Sequence, residues 1–596
     1  MNKYLIAVFS IAITLSACSD ILETKSYSDV SHDNYYSNEE ELEGALNAAY
    51  SIFLSGHRDG NYECGVNVLG EAGTDEARTT AQSLLDSWPL DAYHTLNSSN
   101  SILSEFWTVC YSGINVTNEI IYAIDNWPSE PTARMKGINA EAKFIQALWY
   151  FNLVRNFGGV PLITEPSVAS HDFVSETRDC IGDIYKHIFA LLEYSYQNLD
   201  PVEYGGQIGR ADKYAAAALL SKAYLQAGSS MQLLQPDLTE EIKLEGINSY
   251  SWSDADDNGN ALSETETMKL YYRKAVEYSK IVLDYYGGQD CLKDGTLVGH
   301  FYPDESTRDV LFEVVMSEGQ TPSQAGYFAF MFGPDGKPVH GGGQDRVHPL
   351  NCLVIPNYTC SYDNNEQLWS SDDKRFLWTL STYQYNRQTG AYKLLNGNNF
   401  SKICENIKIH KFKVDINNIP PISIGAGVNN PVLRLSEVCL IYAEAQGELD
   451  YMETGTIGAD ALAYLNAVRQ NAGCSPYTMD NVRECIAIEL HPKLNEIKKG
   501  NKEIKGYATS TDIEHWRRTI LNERMMELLG EGHRWYDLVR LGILPEVVKG
   551  VTDFVSHGTP AEYLDRRISA FHVFRPIPLR EIQLHQGNLV QNYGYY

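Results

Sequence analysis

Residues 520–542 read ILNERMMELLGEGHRWYDLVRLG. Glu523, Glu527 and Glu531 recur every fourth residue, so they share one side of a helix. Arg524, His533, Arg534, Asp537 and Arg540 crowd the same stretch. So many charges invite a catalytic reading. The single histidine, however, has no second His or Cys at metal-ligand spacing, and Arg534 and Arg540 suit paired, hydrogen-bonded carboxylates. The expected arrangement is a structural ion network on a helical scaffold.

Helical periodicity continues outward from this stretch. Leu435, Val438, Cys439, Tyr442 and Ala443 share a face, as do Ala461, Leu465 and Val468 before Gly473. Farther upstream the same pattern holds for Tyr271, Ala275, Tyr278 and Val282, for Ala216, Leu219, Leu220 and Ala223, and for Phe144, Ile145, Leu148 and Phe151. In AAAALLSKAYLQAG (215–228) and LRLSEVCLIYAEAQG (433–447), small residues alternate with large ones, which lets a neighbouring helix approach closely. With their partners at 271–286 and 461–473 these segments look like tetratricopeptide helix pairs, although the strict ~34-residue period is absent. The expected fold class is mostly α: a tetratricopeptide-like helix-pair scaffold with a large loop-rich region and minor β structure. Trp107, Trp127, Trp149, Trp516 and Trp535 fall in or beside the helical patterns and are expected in the core.

Residues 288–430 differ in character. Gly, Asn, Pro and aromatics dominate, as in GYFAFMFGPDGKPVHGGGQDRVHP (326–349), and strand-like runs are short. A loop region of this length within a folded chain is usually functional. The division that follows is a signal peptide at 1–17, an N-terminal helical part at 18–287 with an insertion at 229–267, a ligand-presenting region at 288–430 and a C-terminal helical part at 431–596. Residues 18–596 are expected to form one compact unit.

The N-terminus specifies an address. One early cation, Lys3, precedes an uncharged stretch from Tyr4, and Leu15-Ser16-Ala17-Cys18 closes it. Such a segment is a secretory signal too short to span a bilayer. The small-small-Cys ending is a bacterial lipobox, so Cys18 is the expected lipidation site and first mature residue. The net charge of −29 repels nucleic acid and anionic lipid surfaces, and no basic stripe is present. Among the eleven cysteines no C-x-x-C or Cys/His cluster has zinc spacing. Cys352/Cys360 and Cys474/Cys485 are close enough in sequence to bridge. Tyrosine is abundant, at 39 beside 9 Trp and 19 Phe; its flat apolar face and polar edge suit wet binding surfaces.

Several segments together resemble the SusD/RagB family of Bacteroidetes outer-membrane lipoproteins. They are CSDILE with YYSNEEELEGALNAAY (35–50), EAKFIQALWYFNLVRNFGGVPL (141–162), RLSEVCLIYAEA (434–445), YLNAVRQNAG (464–473), the 520–542 stretch and FRPIPLREIQLHQGNLVQNYGYY (574–596). The resemblance runs in order from Cys18 to Tyr596. It implies a surface-exposed outer-membrane lipoprotein, tethered by its lipid, that binds glycans without catalysis and delivers them to a SusC-like TonB-dependent transporter. The 229–267 and 474–512 segments depart from the pattern as insertions. Two other readings stay open: the same scaffold binding peptide or glycoprotein, and a glycan-degrading enzyme.

Sugar binding needs flat aromatics that stack on pyranose faces, with polar groups reading the hydroxyls. Trp88 in SLLDSWPLDAYHTLNSS (83–99) is the leading candidate, because the family commonly places ligand contacts there. Asp75 and Arg78 in GTDEAR (73–78) are the expected hydroxyl partners, with Tyr93 a weaker aromatic candidate. Tyr327, Phe330 and Trp369 are candidates in the loop region. No cofactor is required by this reading. The stretch DADDNGNALSETE (254–266) reads either as a polar surface turn or as a structural calcium loop with Asp254, Asp256 and Asn258 as ligands; Thr265 stands where the closing Glu belongs.

Overall fold

Each helix of the scaffold packs on the next in chain order. The computed structural model describes residues 36–54, 62–79, 87–166, 176–292, 309–316, 347–350, 373–381, 383–386, 391–394, 408–409, 411, 429–484, 511–550 and 565–595. Helices α1 (Glu39–Ser51), α2 (Tyr62–Glu71) and α3 (Trp88–Ala92) lead in. The main run is α4 (Ser101–Asp125), α5 (Ala133–Phe157), α6 (Ile181–Asn198), α7 (Lys213–Ser229), α8 (Glu264–Tyr285), α9 (Leu435–Thr454) and α10 (Ala459–Asn471). Each member of that run contacts its successor, and α11 (Asp512–Leu528) folds back onto α9 and α10. Short α12 (Arg534–Arg540) rests on α2. The helix pairs expected from the sequence are α7 with α8 and α9 with α10. No helix among the described residues is long and apolar enough to cross a membrane.

Local chemistry sets the helix ends. The side chains of Asn100, Thr132 and Asp212 accept the N–H groups of Leu103, Met135 and Ala215 at the starts of α4, α5 and α7. Ser263 and Glu266 form a reciprocal capping box at α8. Two glycines set the inter-helix distance. A Cβ on Gly113 would overlap the Trp149 indole nitrogen, and one on Gly447 would overlap that of Trp516. Each missing side chain admits a tryptophan from the neighbouring helix, so α4–α5 and α9–α11 use the same device. Trp107, Trp149, Trp516 and Trp535 are buried, and Trp127 is half-buried against the core.

The β structure is minor. Strands β1 (Ala77–Thr79), β2 (Val310–Val314), β3 (Val347–Pro349), β4 (Leu380–Ser381), β5 (Tyr383–Asn386), β6 (Ala391–Leu394), β7 (Lys408–Ile409) and β8 (Asn430–Arg434) pair as antiparallel ribbons β1–β3, β2–β8, β4–β7 and β5–β6. The 229–267 segment, expected as an insertion, is packed into the body. Its Trp252 stacks on Tyr185 at 6.0 Å and donates Nε1–H to the Tyr271 hydroxyl at 2.9 Å. Its Asn248 accepts the Gly159 N–H and donates to Asn592, tying α5's exit to the C-terminal segment.

The charged stretch is interior. Glu523 pairs with Arg375 and Arg469, Glu527 with Arg375 and Arg434, and Glu531 with Arg434 and Lys411. Arg524 holds Asp537 at 2.7 Å, and Arg540 bridges Asp537 and Glu444. All of these residues are buried. Burial alone would raise the Glu531 and Asp537 carboxyls. For Glu531 it is outweighed by Arg434 and Lys411, for Asp537 by Arg524 and Arg540, and both carboxyls are held down at about 2. Partners from four separate segments converge on α11 and the turn after it, so this is a clamp across the fold.

Candidate ligand-binding site

A buried carboxylate joins the 73–79 turn to α3. Asp91 Oδ1 accepts the N–H of Gly73 at 3.2 Å, the N–H of Thr79 at 3.3 Å and Nη2–H of Arg566 at 2.7 Å. Arg566 arrives from the C-terminal segment and also donates to the carbonyls of Thr74 at 2.6 Å and Ala77 at 2.9 Å. A desolvated ion pair with this many hydrogen bonds is geometrically rigid. Tyr93 follows α3 with φ 64°, in the left-handed region that costs a non-glycine residue ~1–3 kcal/mol. Its hydroxyl donates to the Gly73 carbonyl at 2.8 Å, and its ring meets His572 edge-on at 5.3 Å. Strain of this kind persists only where the surroundings over-determine it.

The outer side of this anchor is mixed aromatic and polar. Trp88 opens α3 beside Pro89 and is half-buried, with its ring edge-on to exposed His94 at 6.3 Å and 81°. His94 Nε2 lies 3.7 Å from Asp565 Oδ2, and Asp565 in turn accepts Nε–H of exposed Arg567 at 3.0 Å. The Arg567 backbone N–H donates to the Ala92 carbonyl at 3.1 Å, which fixes the 565–567 segment alongside α3. Arg78 alternates with buried Ala77 and Thr79 on β1 and is half-buried; its Nε is a buried donor with no hydrogen-bond partner among the described residues. An indole beside an imidazole that leads on to a carboxylate and a guanidinium can stack on a ring while the polar row pairs with its substituents.

The structure distributes the expected ligand residues unevenly. Trp88 and Arg78 keep access to solvent. Asp75 does not: it is 0% exposed, and its two oxygens take Arg534 Nε and Nη2 at 2.8 and 2.6 Å. Tyr93 is 2% exposed with its hydroxyl on a backbone carbonyl, so it supports α3 from inside. Cys18, Tyr327, Phe330 and Trp369 lie outside the described residues, as do Cys352, Cys360 and Cys485. His94, Asp565 and Arg567 were not singled out from the sequence. His94 lies within the quoted Trp88 segment, but nothing local connects it to residues 565–567.

At 254–266 the two carboxylates face different partners. Asp254 Oδ2 accepts the Tyr271 hydroxyl at 2.7 Å. Asp256 folds onto its own turn, accepting the N–H groups of Asn258 and Asn260 and the Asn260 side chain at 2.8–2.9 Å. This is the geometry of a self-capped polar turn. Among the described residues no group of three or more His, Cys, Asp or Glu is arranged to hold a metal ion. A cavity of about 20 Å³ bordered by Arg155, Lys222, Glu531 and His533 has room for a water molecule and none for a sugar.

Comparison with known proteins gives one answer along the chain. A family model described as "SusD family" matches residues 309–595, and one described as "Starch-binding associating with outer membrane" matches 20–225. SusD-like protein P25 of Formosa agariphila is 24% identical over 590 residues, covering 98% of this chain and 97% of that protein. The crystal structure of a SusD homolog from Bacteroides thetaiotaomicron superposes with a TM-score of 0.71 at 21% identity, covering 95% of this chain and 98% of that one. A laminarin-binding SusD-like protein superposes at 0.61 and 22% identity, covering 94% and 100%. Surface glycan-binding protein A from Bacteroides fluxus does so at 0.62 and 19% identity, also covering 94% and 100%. The helix-pair scaffold, the order of the matched segments and relatives aligned end to end lead to one conclusion: the chain belongs to the SusD family.

Proposed function

We propose that this protein is a non-catalytic, cell-surface binder of oligo- or polysaccharide, with Trp88 as the stacking platform and His94, Asp565, Arg567 and Arg78 as its polar surround. The observation that carries the reading is the rigid mounting of a solvent-accessible indole beside an exposed imidazole–carboxylate–guanidinium row. A preorganised platform loses little entropy on binding, so a shallow, wet contact still gives useful affinity. The glycan-binding names of two structural neighbours support the choice of ligand class. The Cys18 lipobox and the description of the N-terminal family model support an outer-membrane lipoprotein facing outward. Family membership supports delivery to a TonB-dependent transporter as the purpose of capture. Multivalent engagement of a repeating polysaccharide would strengthen each modest contact.

Affinity electrophoresis of the mature chain against a polysaccharide panel tests this. Retardation with the polysaccharide left intact supports capture. Shortened polysaccharide would assign the protein to glycan breakdown instead, and unaltered mobility across the panel would shift the assignment to a peptide or glycoprotein ligand. Recovery of the transporter with the protein from detergent-solubilised outer membranes tests the partner.

A further inference from the structure

Beyond the end of α8, a 3₁₀ turn (Gly288–Asp290) brings Cys291 against α9. There Cys439 faces it with 3.6 Å between the two sulfurs, 148 residues apart in sequence. Cys439 is fully buried within the core, and Cys291 is half-buried against it. The position matters. In sequence the two thiols bracket the Gly-, Asn-, Pro- and aromatic-rich 288–430 region, which β8 and α9 follow.

We propose that Cys291 and Cys439 are a cross-linking site that closes to a disulfide in the exported protein. The proposal depends on the reading above only for the compartment, since oxidising surroundings lie outside the cytoplasm. An S–S bond is ~2.05 Å long, so the sulfurs must close by roughly 1.5 Å, a distance that rotation about the Cys291 side chain can supply. Cys291 is the accessible thiol and attacks first. Its thiolate displaces one thiolate from a small disulfide oxidant such as oxidised glutathione, giving a mixed disulfide. The Cys439 thiolate then attacks the Cys291 sulfur and releases the second small thiol. Two protein thiols are oxidised, one oxidant disulfide is reduced to two thiols, and the two protons balance on the products. Burial and the neighbouring Cys291 push the Cys439 thiol well up, so the second step is carried by the closeness of the two sulfurs and not by Cys439 acidity. The bond would fasten the two ends of the 292–438 excursion to adjoining helices and restrict the unfolded chain.

The full chain, incubated with oxidised glutathione, alkylated in denaturant and digested without reduction, should yield one cross-linked peptide containing Cys291 and Cys439. The melting temperature should fall by several degrees on reduction of the wild type and stay constant in Cys291→Ser and Cys291→Ala. Recovery of Cys291 and Cys439 as separately alkylated peptides after oxidation would overturn the proposal, as would either residue paired with a different cysteine. Blocking thiols at harvest of an exporting host separates site from compartment. The cross-link found at harvest supports both; free thiols at harvest that close with glutathione retain the site and overturn its closure during export. The reaction with glutathione needs no glycan, so its failure is distinct from failure of the polysaccharide assay.

Discussion

Asp75 and Arg534 lie 459 residues apart in sequence and meet as a two-point ion pair in the protein interior, at 2.6 and 2.8 Å. Arg534 Nε also lies 3.6 Å from Glu76, and Glu71 accepts the Gly532 N–H at 2.8 Å. The first 80 residues and the helical turn after α11 are thus joined through a carboxylate-rich cluster around one guanidinium. Asp75 and Glu76 belong to the 73–79 turn, to which Asp91 and Arg566 fasten the Trp88 helix.

Removing one partner of a buried ion pair leaves the other desolvated and costs ~3–5 kcal/mol. Asp75→Asn should therefore lower unfolding stability by about 3 kcal/mol in urea titration, with Glu76 as the remaining carboxyl near Arg534. A loss under about 1 kcal/mol would show that the pair does not clamp the two ends of the fold.

Glu71 gives the cluster a pH dependence. Burial pushes its carboxyl up to about 7, and burial together with the Glu71 charge raises Glu76 further. A folded pKa above the unfolded ~4.3 means that the native state holds the proton more tightly, so this contribution is full below ~4.3 and is lost as pH rises through about 7. Across that window the stability falls by roughly 4 kcal/mol. Glu71→Gln mimics the protonated form while keeping an acceptor for Gly532. Thermal melts at pH 5, 6, 7 and 8 should show the variant gaining on the wild type as pH rises; parallel profiles would contradict the assignment.

Gly447 and Gly113 are held by close approach. Forcing a methyl group into a packed contact costs ~1–3 kcal/mol or more. Gly447→Ala and Gly113→Ala should each lower the melting temperature, and in Gly447→Ala the Trp516 fluorescence should shift as the indole is displaced. Unchanged melting and emission would mean that these helices tolerate separation.

The parts of the fold written in short-range patterns were legible. Amphipathic spacing placed α7–α8 and α9–α10, and the four-residue spacing of Glu523, Glu527 and Glu531 marked an ion network. The partners of those glutamates, Arg375, Lys411 and Arg434, and Asp75, the partner of Arg534, were not legible, because each is supplied by a distant segment. Asp75 illustrates the cost. GTDEAR reads as a source of hydroxyl partners until Arg534 is paired with Asp75, so a residue expected at the ligand is a clamp residue. Trp88 was singled out through the family resemblance, whereas its neighbours His94, Asp565 and Arg567 come together only once residues 565–567 are folded alongside α3. At 254–266 the calcium-like spacing is local, but the partner of Asp254 is Tyr271 on the following helix.

The central claim is capture on an indole platform, and the most direct measurement compares wild type with Trp88→Ala in affinity electrophoresis on a polysaccharide that retards the wild type. A lost stacking face is worth ~1–2 kcal/mol, or roughly ten-fold in affinity. The account predicts at least that fall in retardation, an unchanged melting temperature and polysaccharide of unaltered length. Full retention by the folded variant, or shortened polysaccharide with the wild type, would contradict it.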